Sequence, residues 1–261
     1  MMSRYDWKLA LSVGMNTMND TSLSALAEAG IYELELSAAR SVSFFDYPTQ
    51  ARAYSALAKK HGITISSIHL PFADCSPATQ DPDFREDVIK MQSILLRSAA
   101  DAGVSIAVIH PSREPYKEEE RAFRMQIAIE TIGCLTDIAK SCDITLALEN
   151  LPRTCLCRSS HEMRRFLDEI PDLRVCFDTN HTLMEDNLDY LRAVGDRLVT
   201  LHVSDYDRID EKHWLPMEGV NDWGAILSTL EALNYQGRFL YETKEKTPLL
   251  IRQNFDRLLT L

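Results

Sequence analysis

Eight short apolar runs, set apart by longer amphipathic segments, constrain this chain more than any other feature. They are Leu9–Val13, Tyr32–Leu36, Ile63–Leu70, Ser105–His110, Thr145–Glu149, Arg174–Asp178, Leu198–Val203 and Phe239–Glu242. Most are continuous rather than alternating in polarity, which suits parallel strands covered by helices. Between them, Val88, Met91, Leu95 and Ala99 recur at helical spacing, as do Ile226, Leu227, Leu230 and Leu233, and Ile251, Phe255, Leu258 and Leu259. Gly30, Gly62, Gly103, Gly195 and Gly237 each fall shortly before a run, where a helix C-cap is wanted. Asp20, Asp81-Pro82 and Ser159-Ser160 read as helix starts. Asp205–Asn221 is the longest stretch without clear periodicity and reads as an active-site loop.

Eight β-then-α units in 261 residues predict an α/β chain folded as one (β/α)8 TIM barrel over residues 1–261. A doubly wound open sheet is the alternative, but it usually has fewer strands and a glycine-rich phosphate loop, and no such loop is present. The formal net charge of −11 argues against nucleic acid and anionic membrane as partners, because phosphate binding needs clustered Lys and Arg. The six cysteines contain no CxxC pair and read as reduced, largely structural thiols. The N-terminus lacks an apolar signal core, and no apolar run approaches membrane-spanning length, so the expectation is a soluble, cytoplasmic protein.

Chemistry in such barrels sits at the C-terminal strand ends. Those ends carry His69, His110, Glu149, Asp178, His202 and Glu242, with His181 three residues past Asp178. Each alone could be an ordinary strand-end polar residue; together they predict a shared site. Glu149, Asp178, His202 and Glu242 offer three hard oxygen donors and one nitrogen, a set that suits Mn²⁺, Mg²⁺, Co²⁺ or Zn²⁺. Asn150 is placed to steady the Glu149 carboxylate. Glu33 and Glu35 flank Leu34, so they point the same way, and at least one is expected to face the pocket mouth or a polar barrel layer. Trp214, in the long loop, is a candidate to stack on a sugar face.

Leu-Glu-Asn-Leu-Pro (148–152), Phe-Asp-Thr-Asn-His (177–181), Leu-His-Val-Ser-Asp (201–205) and Tyr-Glu-Thr (241–243) resemble the xylose isomerase-like TIM-barrel superfamily, over the whole barrel. That group includes sugar and sugar-phosphate isomerases and epimerases, inosose-processing enzymes and the endonuclease IV type of AP endonuclease. The resemblance implies that Glu149, Asp178, His202 and Glu242 hold one divalent metal, Mn²⁺ first among the candidates. It also implies that Glu149 and Glu242 are the catalytic acid/base pair on opposite faces of a sugar carbon, working through an enediolate. His181 and Arg208 match residues that hold substrate oxygens, and His69, His110 and His213 are further candidates to line the substrate pocket. A small sugar or polyol is the expected substrate, with a homo-oligomer left open.

Two departures from the ketose 3-epimerases stand out. Cys155 occupies the position of a substrate-contacting glutamate, and the strand-5 asparagine of those enzymes comes later than Asn150 does. An aldose–ketose isomerase, or an enzyme acting on a keto-inositol, fits the same metal set. The alternative from another class is an endonuclease IV-like enzyme with several zinc ions. His69 and His110 match its strand-3 and strand-4 histidines, and Glu211-Lys-His213 is one carbon away from its Asp-x-His pair. The charge of −11 weighs against that alternative.

Overall fold

Strand β1 (Leu9–Gly14) starts a parallel ladder that runs almost completely round the molecule. It continues through β2 (Glu33–Ser37), β3 (Thr64–His69), β4 (Ile106–Ile109), β5 (Thr145–Glu149), β6 (Arg174–Asp178) and β7 (Leu198–His202), with β8 (Phe239–Tyr241) on the other side of β1. Between β7 and β8 the ladder is reduced to one parallel bridge. There Val203 N–H donates to Leu240 O at 2.8 Å and Glu242 N–H donates to Val203 O at 3.1 Å. The helices are α1 (Asp20–Glu28), α2 (Tyr47–Lys60), α3 (Pro82–Asp101), α4 (Arg121–Ser141), α5 (Ser160–Glu169), α6 (Asn187–Val194), α7 (Trp223–Ala232) and α8 (Pro248–Leu258). The chain is therefore a nearly closed (β/α)8 barrel, described here by a computed structural model for residues 5–37, 47–113, 116–244 and 247–261.

The strands look continuously apolar because both of their faces are buried. Leu34, Leu36, Leu146, Leu148, Val175 and Phe177 pack outward into the layer shared with the helices. Val108, Ala147 and Cys176 form a separate small cluster with Ile106 and Val199, as expected of a barrel interior filled by its own side chains. In two places the register shifts. The shift between Leu34 and Glu35 sets Ser67 opposite Glu35, and that between Val175 and Cys176 sets Asp178 opposite His202. Such irregularities re-aim side chains near sites.

Local signals account for most helix ends. Asn19 caps α1, its side chain accepting from Ser22 N–H, so the helix cap is one residue before the expected Asp20. Asp81 caps α3 with Pro82 at its first position, and Ser159 caps α5. Gly30, Gly62 and Gly103 have φ of 71–84°, the left-handed conformation of a helix C-cap. Gly195 and Gly237 do not, contrary to expectation. A Cβ on Gly195 would lie 2.5 Å from Leu233 Cδ1, and one on Gly237 would lie 2.6 Å from Val199 O, so these glycines permit close packing. The left-handed residue after α7 is Asn234. Among the described residues, no helix is long and apolar enough to cross a membrane, and the six cysteines are all free thiols.

Candidate metal centre and substrate cavity

A cavity of about 470 Å³ opens at the C-terminal end of the barrel. Glu149, at the end of β5, is buried at its centre and touches four imidazoles. His69 Nε2 and His110 Nε2 each lie 3.1 Å from Glu149 Oε2, while His202 Nδ1 lies 3.2 Å and His181 Nδ1 3.4 Å from Oε1. Burial alone would raise the Glu149 carboxyl, but His202 and His110 outweigh it and hold it well below the usual carboxylate range. His69 donates Nδ1–H to Leu70 O at 2.9 Å, which turns its Nε2 toward the site. Burial takes His110 below its ordinary range. His69 is equally buried, yet Glu149 and Glu35 raise it above that range.

Asp178, at the end of β6, and His202, at the end of β7, lie beneath the cavity floor with no exposure. Asn150 fixes the end of β6. Its Oδ1 accepts from Asp178 N–H at 2.7 Å and its Nδ2 donates to Asp178 O at 2.9 Å. Asn150 therefore positions Asp178 through the main chain; the role expected from sequence, steadying the Glu149 carboxylate, is not the one its side chain takes. Its own carbonyl accepts from His181 Nδ1 at 2.9 Å. Asp178 Oδ1 accepts from Asn180 N–H at 2.6 Å. Asp178 Oδ2 is buried and accepts no hydrogen bond. Burial raises the Asp178 carboxyl to about 6, against the pull of His181.

Glu149, Asp178, His202 and Glu242 each present a donor atom within 4.8 Å of one another. His202 Nδ1 lies 3.2 Å from Glu242 Oε2 as well as from Glu149 Oε1. Holding three carboxylates this close together, with Glu149 and Asp178 buried and Glu242 partly so, is costly unless a cation neutralises them. The spare Asp178 Oδ2 and this set of hard oxygens with one imidazole fit a divalent metal.

The long loop after β7 completes the wall. Asp205, buried at its base, organises it. Its carboxylate accepts from Tyr206 N, Met217 N, Asn221 N and Trp223 Nε1 at 2.9–3.2 Å, and its main chain bridges to that of Trp214. The loop presents Glu211 and His213 to the cavity. Glu211 Oε2 lies 3.1 Å from His181 Nε2, and Arg153 Nη2 donates to Glu211 Oε1 at 2.8 Å. His181 foremost, with Arg153, lowers the Glu211 carboxyl to about 2. His213 donates Nδ1–H to Glu242 O at 3.1 Å, and its ring meets that of His181 edge-on.

Of the side chains singled out from sequence, His69, His110, Glu149, His181, His213 and Glu242 line the cavity, with Asp178 and His202 directly below. Arg208 does not join them. Its backbone is left-handed, and its half-exposed guanidinium pairs with Asp186. Trp214 is also absent from the cavity wall. Arg153, Arg113, Cys155 and Phe72 line it instead. Phe72 stacks on His110 at 4.3 Å between ring centroids.

Residues 23–261 match the family model described as xylose isomerase-like TIM barrel. The chain belongs to this family. It is 24% identical over 234 residues to a D-psicose 3-epimerase of Enterocloster bolteae, a match covering 84% of this chain and 75% of that one. An uncharacterized protein of Methanocaldococcus jannaschii is 23% identical over 186 residues, covering 68% of this chain but 64% of that protein, just under two thirds of its length. Among solved structures, a D-tagatose 3-epimerase-like protein superposes with a TM-score of 0.85 at 18% identity, covering 97% of each chain. Such a likeness is one of fold.

Proposed function

We propose that this member of the family is a divalent-metal-dependent epimerase or isomerase that moves a proton at the carbon next to a carbonyl in a small sugar, sugar phosphate or inosose. The observation that carries this proposal is the convergence of Glu149, Asp178, His202 and Glu242, from successive strands, at the floor of the cavity. The D-psicose 3-epimerase and D-tagatose 3-epimerase-like relatives point to a sugar as substrate. A divalent cation, Mn²⁺ or alternatively Zn²⁺, Co²⁺ or Mg²⁺, supplies positive charge where an oxyanion develops.

The chain's own residues do the rest. Glu149 and Glu242 both line the cavity and flank His202 Nδ1, so two carboxylates face one reaction space. One removes the proton from carbon while the other returns a proton from the opposite side, giving an enediolate between the two steps. His181, held at Nδ1 by the Asn150 carbonyl, turns Nε2 to Glu211 at the cavity wall, where a substrate oxygen that takes the place of Glu211 can meet it. His69, His110 and His213 extend that polar wall, Phe72 offers a ring face for stacking, and Arg153 and Arg113 stand where hydroxyl or anionic substrate oxygens can be gripped. The role that the resemblance gave to Arg208 falls to these arginines.

The test is exchange of substrate hydrogen in D₂O. Protein supplied with Mn²⁺ or Co²⁺ is incubated with a panel of ketoses, their phosphates and inososes, and loss of the C–H signal next to the carbonyl is followed by ¹H NMR. Exchange and epimer formation are expected for at least one compound, with Glu149→Gln and Glu242→Gln each slower by roughly 10²–10⁴-fold. No exchange anywhere in the panel sinks the proposal.

A second reading, an endonuclease IV-like enzyme with several zinc ions, gains support from one observation. Two further donor groups adjoin the first: His69, Glu149 and His202, and His181, Glu211 and His213. The net charge of −11 stands against a DNA substrate. Cleavage of an abasic duplex by zinc-loaded protein, absent in Glu211→Ala, is the result that would favour it.

A further inference from the structure

Glu35 lies on β2 with no exposure, inside the barrel. A carboxylate there is tolerated only when its lone pairs are met. Three partners meet them. Ser12 Oγ donates to Oε1 at 3.2 Å, Ser67 Oγ donates to Oε2 at 3.0 Å, and His202 Nε2 is 2.9 Å from Oε1. Ser12 and Ser67 are the register neighbours of Glu35 on the two flanking strands, Ser67 by virtue of the register shift in β2–β3. Two hydroxyls thus hold the carboxylate from either side and leave it aimed across the barrel at β7.

The other nitrogen of the same ring faces the opposite way, 3.2 Å from both Glu149 Oε1 and Glu242 Oε2. A neutral imidazole has one N–H and one lone pair, and a carboxylate only accepts. A proton on Nε2 satisfies Glu35 and frees the Nδ1 lone pair for the cluster, whereas a proton on Nδ1 would leave two lone pairs facing each other across 2.9 Å. We propose that Glu35 is a positioning residue that fixes His202 as the Nε2–H tautomer, so that Nδ1 is the nitrogen offered to a divalent cation beside Glu149, Asp178 and Glu242. This rests on the metal-dependent reading above. A carboxylate behind a ligating histidine sets both ring orientation and basicity, and its loss typically costs ~10–100-fold in metal affinity.

The experiment compares the full chain with Glu35→Gln, Glu35→Ala and, as a control that removes a buried hydroxyl bonded to Ile127 O in α4 and not to Glu35 or His202, Thr131→Ala. Each is stripped with chelator and titrated with Mn²⁺, while circular dichroism and thermal melts of the stripped forms report folding. Mn²⁺ binding is expected to weaken by roughly 10–100-fold in Glu35→Gln and further in Glu35→Ala, and to stay within about threefold in Thr131→Ala. If Glu35→Ala fails to fold, the nearly isosteric Glu35→Gln carries the comparison. In parallel, long-range ¹H–¹⁵N spectra of the Zn²⁺-loaded wild type are expected to place the His202 proton on Nε2. Undiminished Mn²⁺ affinity in folded Glu35→Gln, or a His202 proton on Nδ1, overturns the role of Glu35 while leaving the metal centre standing. A wild type that takes up neither ion overturns the metal centre itself, and the role of Glu35 with it.

Discussion

The side chain of Asn150 and the main chain of Asp178 hydrogen-bond to each other in both directions, at 2.7 and 2.9 Å. This reciprocal pair locks the end of β6 to the end of β5, so two candidate metal ligands from different strands are held in one frame. Asn150→Ala strands a buried N–H and a buried carbonyl, at a cost of about 1–3 kcal/mol for each group left unmade. The expected outcome is a lower urea midpoint together with weaker Mn²⁺ uptake, because Asp178 is no longer held. Urea unfolding and metal titration of the same preparation check both halves.

Arg121, at the start of α4, makes a buried ion pair with Glu162 of α5 and also donates to the carbonyls of Thr154 and Cys155, at 2.9 and 2.5 Å. It anchors the loop that carries Arg153 and Cys155 to the cavity. Arg121→Met leaves Glu162 buried and unpaired, and is expected to cost about 3–5 kcal/mol. Arg121→Met with Glu162→Leu removes the stranded charge and should recover only part of the loss, since the two carbonyls remain unmet. Denaturant unfolding of the single and double variants separates these terms.

Two glycines should respond oppositely to alanine. Gly133 lies inside α4, and a Cβ there meets nothing nearer than Ile170 Cγ1 at 3.9 Å, so Gly133→Ala is expected to stabilise by about 0.5–1 kcal/mol. A Cβ on Gly219 would sit 2.3 Å from Tyr206 O and 2.4 Å from Asp205 Oδ1. Gly219→Ala must therefore displace the loop that presents Glu211 and His213, at a cost of about 1–3 kcal/mol. Thermal melts give the sign for both, and hydrogen exchange in residues 205–221 should rise only in Gly219→Ala.

The barrel was legible because its strands announce themselves. Thr145–Glu149 and Arg174–Asp178 are buried on both faces, so their apolar runs begin and end where the strands do. The glycines were legible only in part. Gly30, Gly62 and Gly103 obey a local backbone rule, but Gly195 and Gly237 answer to Leu233 and Val199, which lie far along the chain.

The strand-end residues of the candidate site could be gathered from sequence because strand order alone brings them to one mouth. Residues reached through loops could not. Arg208 has the expected spacing from His202, yet a left-handed backbone turns it outward to Asp186. Asp205, which ties the whole loop together, reads in sequence as one more acid after a strand. For Glu35 a signal was present, since two glutamates on one face of a strand require a polar layer. Its partner His202 lies 167 residues away, beyond any local pattern.

Metal content per chain is the most direct test of the account. Protein purified without chelator, and a second sample reloaded with Mn²⁺ and Zn²⁺, are measured by inductively coupled plasma mass spectrometry beside Glu149→Ala. About one divalent ion per wild-type chain, lost in the variant, is the predicted result. A folded wild type that takes up no metal under either condition would contradict it.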